Sequence, residues 1–296
     1  MNEKKNLVSI IVNCFNGEKY LRESLNTIVA QTYKNWELIF CDNQSTDNSK
    51  KIFYAYKNKK FKYFKTKKFV SLYEARNFAI SKSKGEFLSF LDVDDLWQKN
   101  KLKEQIKFFK NPKVGVVYGN LFILKKNKKK IYYKKKLKEG FIYNELIKNY
   151  TVGILTTIIR KQLLFKEKIF FNNKYNIIGD FDLFLRLAKK CIFKTIQFPV
   201  ATYRIHDKNL SLLKRKTEIK EFKDWFKKNK KNLNLEQKNY FIKHIINLEF
   251  ISLKFEKKYF KLIFFFIFNL NKLLSLKNIA IIIFPSLLLK KIMWFF

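Results

Sequence analysis

Apolar residues in the first ninety positions follow two patterns in turn: short continuous runs, and residues spaced as on one face of a helix. Four apolar runs have the composition of buried strands: residues 7–12, 36–41, 61–64 and 87–91. Between the first two runs, apolar residues recur at the spacing of one helical face: Leu21, Leu25, Ile28 and Val29. A capping box at Ser71–Glu74 predicts a further helix through Ala79. Strands that alternate with helices predict an α/β fold, with a mostly parallel sheet flanked by helices.

Polar clusters follow three of the predicted strands. Asn13–Asn16 comes after the first strand, Asp42–Asn43 after the second and Asp92–Asp95 after the fourth. Ligands of parallel α/β sheets bind at the carboxyl ends of the strands. The three clusters are therefore expected to converge on one crevice.

The third cluster, Asp92-Val93-Asp94-Asp95, has the composition of a cation site. Asp92 and Asp94 are two residues apart at a strand end, so both can face one ligand. Carboxylates repel each other unless a cation lies among them, and oxygen ligands with open positions suit Mg²⁺ or Mn²⁺ bound to a diphosphate. The alternative is that Asp95 caps a helix beginning near Gln98. The glycine-rich motifs of Rossmann dehydrogenases and P-loop NTPases are absent from the sequence.

Charge and composition narrow the partners of the chain. Its 296 residues carry 63 Lys and Arg against 24 Asp and Glu, a net charge of +39 that attracts nucleic acid, acidic lipid or phosphorylated molecules. Three cysteines in so long a chain predict a reducing, cytoplasmic location. The lysine block at 125–138 is expected to form a solvated hairpin or loop, with a binding site as the alternative.

The last forty residues combine apolar and basic character. Residues 257–296 contain seven lysines and no acidic residue. The apolar runs 262–268 and 279–289 are shorter than the roughly 20 residues that cross a bilayer, and Pro285 interrupts the second. A basic stripe on an apolar helix predicts binding at an anionic membrane surface. The alternative is a helical domain that closes a soluble core.

Eight motifs, in order along the chain, resemble those of family 2 glycosyltransferases. They are Val8–Glu18, Gln31-Thr32, Glu37–Asp47, Ala75-Arg76-Asn77, Lys84–Phe87, Asp92–Asp95, Gly179–Arg186 and Tyr203–Asp207. The resemblance spans residues 7 to about 210. It implies a GT-A fold, a nucleotide-sugar donor, a divalent metal (Mn²⁺ or Mg²⁺) and an inverting transfer. We expect a catalytic domain at 1–212 and a membrane-associating helical region at 213–296.

The resemblance also implies roles for individual residues. The expected catalytic base is Asp180, and the expected metal ligands are Asp94 and His206. The residues expected to bind the nucleotide-sugar are Asn13, Phe15, Asn16, Asp42, Asn43, Arg76, Asp92 and Arg204. Two alternatives stay open: Arg76 could form an ion pair with a helix neighbour, and His206 could be structural.

Four further residues carry specific expectations. Asn43 stands where the family often has an Asp that accepts a hydrogen bond from the base, a role that the Asn carbonyl can also fill. Gly179 is expected to leave room for a sugar, Asp182 to be a carboxylate at a helix N-terminus, and His244 to be structural. Acceptor contacts are expected from residues 134–157 and from the segment after His206.

Three functions compete at this stage. The first is an inverting, metal-dependent glycosyltransferase at the cytoplasmic face of the membrane, which transfers sugar from a UDP-sugar to a glycan or lipid-linked acceptor in bacterial surface polysaccharide assembly. A sugar-nucleotidyltransferase would need a Gly- and Arg-rich loop after the first strand, which residues 13–17 lack. A basic nucleic-acid-binding protein would need a recognised module, and none is visible, so no nucleic-acid partner is expected.

Overall fold

A computed structural model describes residues 6–256 and 258–273 of the chain. They divide into two compact units, with the boundary between Asn209 and Leu210. In the first unit nine strands form one sheet. The strands are β1 Val8–Cys14, β2 Trp36–Asp42, β3 Phe61–Lys65, β4 Phe87–Phe90, β5 Leu96–Trp97, β6 Val114–Lys125, β7 Lys128–Ile131, β8 Ile158–Arg160 and β9 Ile192–Ile205. The helices of this unit are α1 Glu18–Val29, α2 Ser49–Tyr54, α3 Leu72–Lys82, α4 Lys101–Ile106, α5 Tyr143–Lys148, α6 Lys161–Lys166 and α7 Gly179–Ala188.

The strand order of the sheet is β3-β2-β1-β4-β8-β6-β9-β5, with β7 paired to β6. The first four strands in this order are parallel, and β6 is parallel to β9. β8 runs antiparallel to both of its neighbours, β4 and β6. The predicted α/β fold class, with a sheet flanked by helices, is confirmed. The sheet is mixed rather than mostly parallel, because four of its eight pairings within the described residues are antiparallel.

Side chains of α1, β1 and β2 share one hydrophobic core cluster. Every residue of these two strands is buried, as their continuous apolar runs predicted. Leu21, Leu25 and Ile28 of α1 are fully buried, and each such side chain contributes about 1.5–3 kcal/mol. The expectation for Val29 is wrong, because this side chain is 41% exposed at the end of the helix. Ser24 takes the fourth buried position of α1, where its hydroxyl donates to the Asp92 carbonyl over 3.3 Å.

Two local predictions elsewhere in this unit are confirmed. The Ser71 side chain caps α3 by accepting a hydrogen bond of 3.2 Å from the Glu74 backbone N–H. In the lysine block, β7 pairs with the end of β6 as a hairpin, and all four of its residues are exposed.

The second unit is helical in the part that the structure describes. Its helices are α8 Leu210–Leu213, α9 Arg215–Asn229, α10 Leu235–Phe255, α11 Tyr259–Phe268 and α12 Leu270–Leu273. Leu262 of α11 is buried beside Phe250 and Leu273, whereas Phe260 and Phe268 are more than four-fifths exposed (84% and 82%). Among the described helices, none combines the length and the hydropathy needed to cross a bilayer. The run 279–289 and Pro285 lie outside the described residues.

His244 has the structural role that the sequence suggested. Its ring packs against those of Phe222 and Phe241, with centroids 4.9 and 6.4 Å away. His244 is nevertheless exposed on α10, so its ring covers the edge of this aromatic cluster.

Lys101 is a buried lysine at the start of α4. Its Nζ lies 2.8 Å from the Ser89 hydroxyl oxygen and 3.2 Å from the Thr157 carbonyl oxygen, and 4.2 Å from the centroid of the Trp97 ring. No carboxylate contact to this ammonium is seen within the described residues. Burial therefore lowers the pKa of Lys101 well below its usual value.

We predict that replacing Lys101 changes how stability depends on pH. Between the lowered folded pKa and the usual value near 10.4, the unfolded chain binds one more proton, so wild-type stability rises with pH. Lys101→Met removes this dependence. In chemical denaturation from pH 7 to pH 10, the free energy of unfolding of wild type should rise relative to that of the variant by up to about 1.4 kcal/mol per pH unit. Parallel stability curves would show that the lysine stays protonated in the folded protein.

Candidate active site

The carboxyl ends of β1, β2 and β4 lie side by side because these strands are parallel. Asn13 and Cys14 of β1 pair with Cys41 and Asp42 of β2. The backbone N–H of Asn43 donates to the Cys14 carbonyl over 2.8 Å. β4 flanks β1 on its other side and ends just before Asp92. The strand order thus brings the three polar clusters to one edge of the sheet.

Arg76 and Asp92 form an ion pair at this edge. The Arg76 Nη2 lies 2.7 Å from the Asp92 Oδ1, and the arginine side chain is only 3% exposed. Its guanidinium lies over the rings of Tyr73 and Phe171, 5.5 and 5.7 Å from their centroids. The expected alternative of an ion pair with a helix neighbour is wrong, since the partner is the carboxylate predicted to bind the donor.

Asp94 and His206 meet although 112 residues separate them. The Asp94 Oδ2 lies 2.8 Å from the His206 Nε2 and 3.4 Å from the Asn209 Nδ2. Burial and the charge of Asp92 raise the pKa of Asp94. The two predicted metal ligands therefore point at one another.

Asp95 has a different role from the one expected. Helix α4 begins at Lys101, after Asn100, so Asp95 does not cap it. Asp95 is buried, and its Oδ1 accepts a hydrogen bond of 2.9 Å from the Arg204 backbone N–H. Burial and the charges of Asp94 and Asp92 raise the pKa of Asp95 well above its usual value. This carboxyl group joins the acidic motif to the end of β9.

The Arg204 side chain is held beside the acidic motif. Its Nε donates to the Asp94 carbonyl over 2.9 Å, and its Nη2 lies 2.6 Å from the Glu23 Oε2. The guanidinium also lies 4.7 Å from the centroid of the Tyr20 ring, and the His206 ring packs on the same tyrosine at 5.0 Å. These contacts place a positive charge next to the two expected metal ligands.

The Asp94–His206 pair fits a divalent cation. A carboxylate oxygen and an imidazole nitrogen form a donor set that Mn²⁺ accepts, while Mg²⁺ favours oxygen ligands. Within residues 6–256 and 258–273, no group of three or more His, Cys, Asp and Glu side chains is arranged to hold a metal. Two protein ligands would leave positions for water and a ligand diphosphate. A cation would also offset the repulsion between Asp92 and Asp94.

Asp180, the expected base, lies in the first turn of α7. Its Oδ1 accepts a hydrogen bond of 2.9 Å from the Phe181 backbone N–H and lies 3.4 Å from the Tyr73 hydroxyl. Burial raises the pKa of Asp180, and the charge of Arg76 partly opposes this rise. The Tyr73 ring lies under the Arg76 guanidinium and its hydroxyl lies 3.4 Å from Asp180, which connects Asp180 to the Arg76–Asp92 pair.

The surroundings of Asp180 show what the neighbouring residues Gly179 and Asp182 do. A Cβ at Gly179 would lie 2.5 Å from the Tyr73 ring, so the expectation that this glycine leaves room for a sugar is wrong. The Tyr73 ring fills that space, and its hydroxyl donates to the Ile177 carbonyl over 2.6 Å. Asp182 pairs with Arg186 one turn later at 2.7 Å, as expected for a carboxylate in the first turn of a helix.

The nucleotide end of the expected site surrounds the tip of β2. Phe15 is 51% exposed, and its ring meets the 60% exposed ring of Phe69 edge to face, with centroids 4.8 Å apart. The Asn16 amide oxygen accepts a hydrogen bond of 2.8 Å from the Thr46 backbone N–H. Asn13 is nearly buried at the end of β1.

Asp42 and Asn43 are both buried and engaged within the protein. Asp42 accepts hydrogen bonds from the Ser45 backbone N–H and the Tyr63 hydroxyl, over 2.7 and 2.5 Å. The Asn43 amide oxygen accepts from the Val70 backbone N–H over 3.0 Å, and from a threonine hydroxyl. This oxygen, expected to accept from the base, already has two donors within the protein.

Three aromatic residues of the site were missed by sequence reasoning: Tyr73, Phe69 and Tyr150. The Tyr150 hydroxyl is buried and has no hydrogen-bond partner in the described part of the chain. Burial and the nearby charge of Asp180 raise the pKa of Tyr150 well above its usual value. Tyr150 lies in the 134–157 segment expected to contact the acceptor, but no residue pattern there distinguishes it.

Comparison with known proteins agrees with this geometry. The family model described as Glycosyl transferase family 2 matches residues 9–172. One relative is the Escherichia coli "UDP-Glc:alpha-D-GlcNAc-diphosphoundecaprenol beta-1,3-glucosyltransferase WfgD". It is 32% identical over 207 residues, which cover 69% of this chain and 79% of the relative.

Two solved structures share the fold. S. aureus TarS 1–349 in complex with UDP-GlcNAc aligns with a TM-score of 0.61 and 19% identity, over 82% of this chain and 72% of TarS. The mannosyltransferase PcManGT from Pyrobaculum calidifontis, in complex with GDP-Man and Mn²⁺, aligns with a TM-score of 0.56 and 15% identity, over 74% of this chain and 64% of PcManGT. The chain therefore belongs to glycosyltransferase family 2 and is a glycosyltransferase with the GT-A fold.

Proposed function

We propose that this enzyme transfers a sugar from a UDP-sugar to a lipid-linked glycan, with inversion and with a divalent cation, in bacterial surface polysaccharide synthesis. The observation that carries the proposal is the convergence of a candidate cation pair, a donor-binding carboxylate and a candidate base. These are Asp94 with His206, Asp92 and Asp180, and all of them lie in the first unit.

The names of the relatives support the choice of substrates. The E. coli relative is named for UDP-Glc as donor and a diphosphoundecaprenol-linked GlcNAc as acceptor. TarS is described in complex with UDP-GlcNAc, and PcManGT with GDP-Man and Mn²⁺. We extend a lipid-linked acceptor and a divalent cation to this enzyme on that basis. The fold occurs with both UDP and GDP, and we extend the UDP donor to this enzyme from the name of the E. coli relative.

The donor would be held by groups that are already oriented. Arg76 fixes the Asp92 carboxylate, which is 36% exposed and can accept a hydrogen bond from a ribose or donor-sugar hydroxyl. Arg204, tethered by Glu23, places its charge beside Asp94, where a diphosphate would lie. A bound Mn²⁺ or Mg²⁺ would neutralise negative charge on the departing nucleoside diphosphate.

Asp180 would accept the proton of the attacking hydroxyl. Inverting transfer forms the new glycosidic bond on the face of the sugar opposite to the diphosphate, while the bond to the diphosphate breaks. A general base must therefore stand on the acceptor side, and the Phe181 backbone N–H holds the Asp180 carboxylate in one orientation. Its raised pKa brings this base nearer to physiological pH, which favours proton acceptance.

Removing the carboxylate of Asp180 should abolish most of the transfer. We expect Asp180→Asn to lower turnover by about 10²–10⁴-fold, the usual contribution of a general base. In wild type, the acid limb of the rate profile should lie above the ordinary carboxyl pKa near 4, because protonation inactivates a base whose pKa is raised. Turnover is measured with the nucleotide-sugar that a donor screen identifies.

Asp182→Asn is the matched control for this experiment. Asp182 lies on the same helix turn, but its carboxylate pairs with Arg186, so turnover should stay near wild type. Near-wild-type turnover in Asp180→Asn would contradict the role of Asp180 as base.

The proposed cation site predicts a direct loss of metal binding. Wild type should bind Mn²⁺ more tightly in the presence of UDP, measured by electron paramagnetic resonance of the free ion. Asp94→Ala and His206→Ala should each weaken this binding by at least tenfold, because each removes one of two protein ligands. Asp224→Ala, on α9 of the second unit, is the control. Unchanged Mn²⁺ binding in both site variants would refute the assignment.

We further propose that the second unit binds the cytoplasmic surface of the cell membrane. The exposed face of α11 is apolar: Phe260, Ile263, Phe264, Ile267 and Phe268. Exposed lysines lie on and beside this helix at Lys258, Lys261 and Lys272. Large exposed apolar patches mark interaction sites, and a lysine rim suits an anionic bilayer rather than another basic chain.

Two substitutions on α11 test membrane binding. Phe264→Ser with Phe268→Ser should weaken binding to vesicles that contain phosphatidylglycerol by at least tenfold, because each buried aromatic contributes about 1.5–3 kcal/mol. The matched control is Phe141→Ser with Phe198→Ser, which replaces two phenylalanines of the first unit that are also more than half exposed. Co-sedimentation measures both. Failure of wild type to bind anionic vesicles, or equal binding by the α11 variant, would contradict the proposal.

A further inference from the structure

We infer that Phe15 and Phe69 form an aromatic corner that holds the nucleobase, and that residue 43 builds this corner instead of reading the edge of the base. A consequence is weak discrimination between bases of equal size, such as uracil and cytosine. The inference rests on the proposed use of a nucleotide-sugar. It adds a binding residue, Phe69, and reassigns Asn43.

The side chain of Asn43 is committed to the segment 66–70. Its Oδ1 accepts hydrogen bonds from the Val70 backbone N–H over 3.0 Å and from the Thr66 hydroxyl over 3.2 Å. Its Nδ2 donates to the Val70 carbonyl over 2.8 Å. Asn43 is 6% exposed, so the carbonyl lone pairs that an imino N–H of a base would need are both occupied and shielded.

The segment 66–70 is held to the tip of β2 at both of its ends. At one end, the Thr66 backbone N–H donates to the Asp42 carbonyl over 3.0 Å, and the Gln44 side chain donates to the Thr66 carbonyl. At the other end, Val70 is held by Asn43 through both of its backbone polar groups. The residues between the anchors, Lys67, Lys68 and Phe69, are exposed.

Phe69 is presented to solvent beside the residue expected to contact the base. Its ring is 60% exposed and meets the Phe15 ring edge to face, 4.8 Å between centroids and 63° between planes. Two aromatic faces at this angle offer one ring on which a base can stack and a second that closes one side. Stacking serves every base because every base has a π-face.

An asparagine suits this role better than the aspartate that the family often has here. The amide both donates to and accepts from Val70, whereas an ionised carboxylate only accepts. An aspartate at this position would place a carboxylate oxygen against the Val70 carbonyl oxygen. Both groups only accept hydrogen bonds, so the attachment of Val70 to residue 43 would weaken.

Binding of UDP and CDP to the full-length enzyme tests the inference, with Mn²⁺ present and isothermal titration calorimetry as the measurement. These ligands have bases of the same size with different hydrogen-bonding edges. We expect wild type to bind the two within about fivefold of each other, whereas a site with edge-reading hydrogen bonds separates them by about tenfold or more. Phe69→Ala should weaken binding of both by about 5- to 100-fold. Phe69→Trp should restore it.

Two further variants separate this inference from its alternatives. Phe198→Ala removes an exposed phenylalanine of β9 and should leave both affinities unchanged. Asn43→Asp should weaken both ligands alike and speed hydrogen exchange of the Val70 amide. If Asn43→Asp instead increases the preference for UDP over CDP, residue 43 reads the base and the inference is overturned. Unchanged UDP binding in Phe69→Ala overturns it as well.

The outcomes also distinguish this inference from the proposed function. If wild type binds neither UDP nor CDP, the proposed UDP-sugar donor is refuted and the aromatic corner with it. If UDP binds tightly and Phe69→Ala has no effect, the donor stands and the assignment of Phe69 fails.

Discussion

Electrostatic repulsion among carboxylates is the constraint on which this site depends. Asp92 acts electrostatically on Asp94, Asp95 and Asp180, and burial raises the pKa of these three residues. The buried Arg76 offsets this repulsion through its contact with Asp92. Breaking a buried ion pair leaves an uncompensated charge and is strongly destabilising. Negative charge remains at Asp94, and a divalent cation bound there would offset it.

Family membership narrows the functions that the sequence allowed. Membership of glycosyltransferase family 2 favours an enzyme over the basic nucleic-acid-binding protein. Lys128, Lys129 and Lys130 of the 125–138 block lie on the exposed strand β7 of a hairpin, which is a solvated surface feature. Those of α11 lie beside an apolar face, which agrees with the proposed membrane contact. The sugar-nucleotidyltransferase alternative loses its support for the same reason.

Short patterns and the order of motifs along the chain could be predicted from the sequence, whereas contacts between residues far apart in the sequence could not. The strands, the Ser71 cap and the acidic motif follow from apolar runs, capping residues and motif order within short windows. The partners of Asp95 and Tyr73 lie 109 and 107 residues away, and no local pattern encodes them. The error at Gly179 has this origin, since the Tyr73 ring that occupies its vacant side comes from another helix. Tyr150 was missed because its isolated hydroxyl shows only in three dimensions.

Helix α3 contributes to both halves of the proposed reaction. Tyr73 reaches toward Asp180, and Arg76, one turn later, holds Asp92. Both side chains extend from the same short length of rigid backbone, so neither half of the chemistry can be adjusted by sliding or tilting this helix without disturbing the other. A change of sugar or acceptor specificity is therefore easier through substitutions in the loops around the crevice than through substitutions in α3.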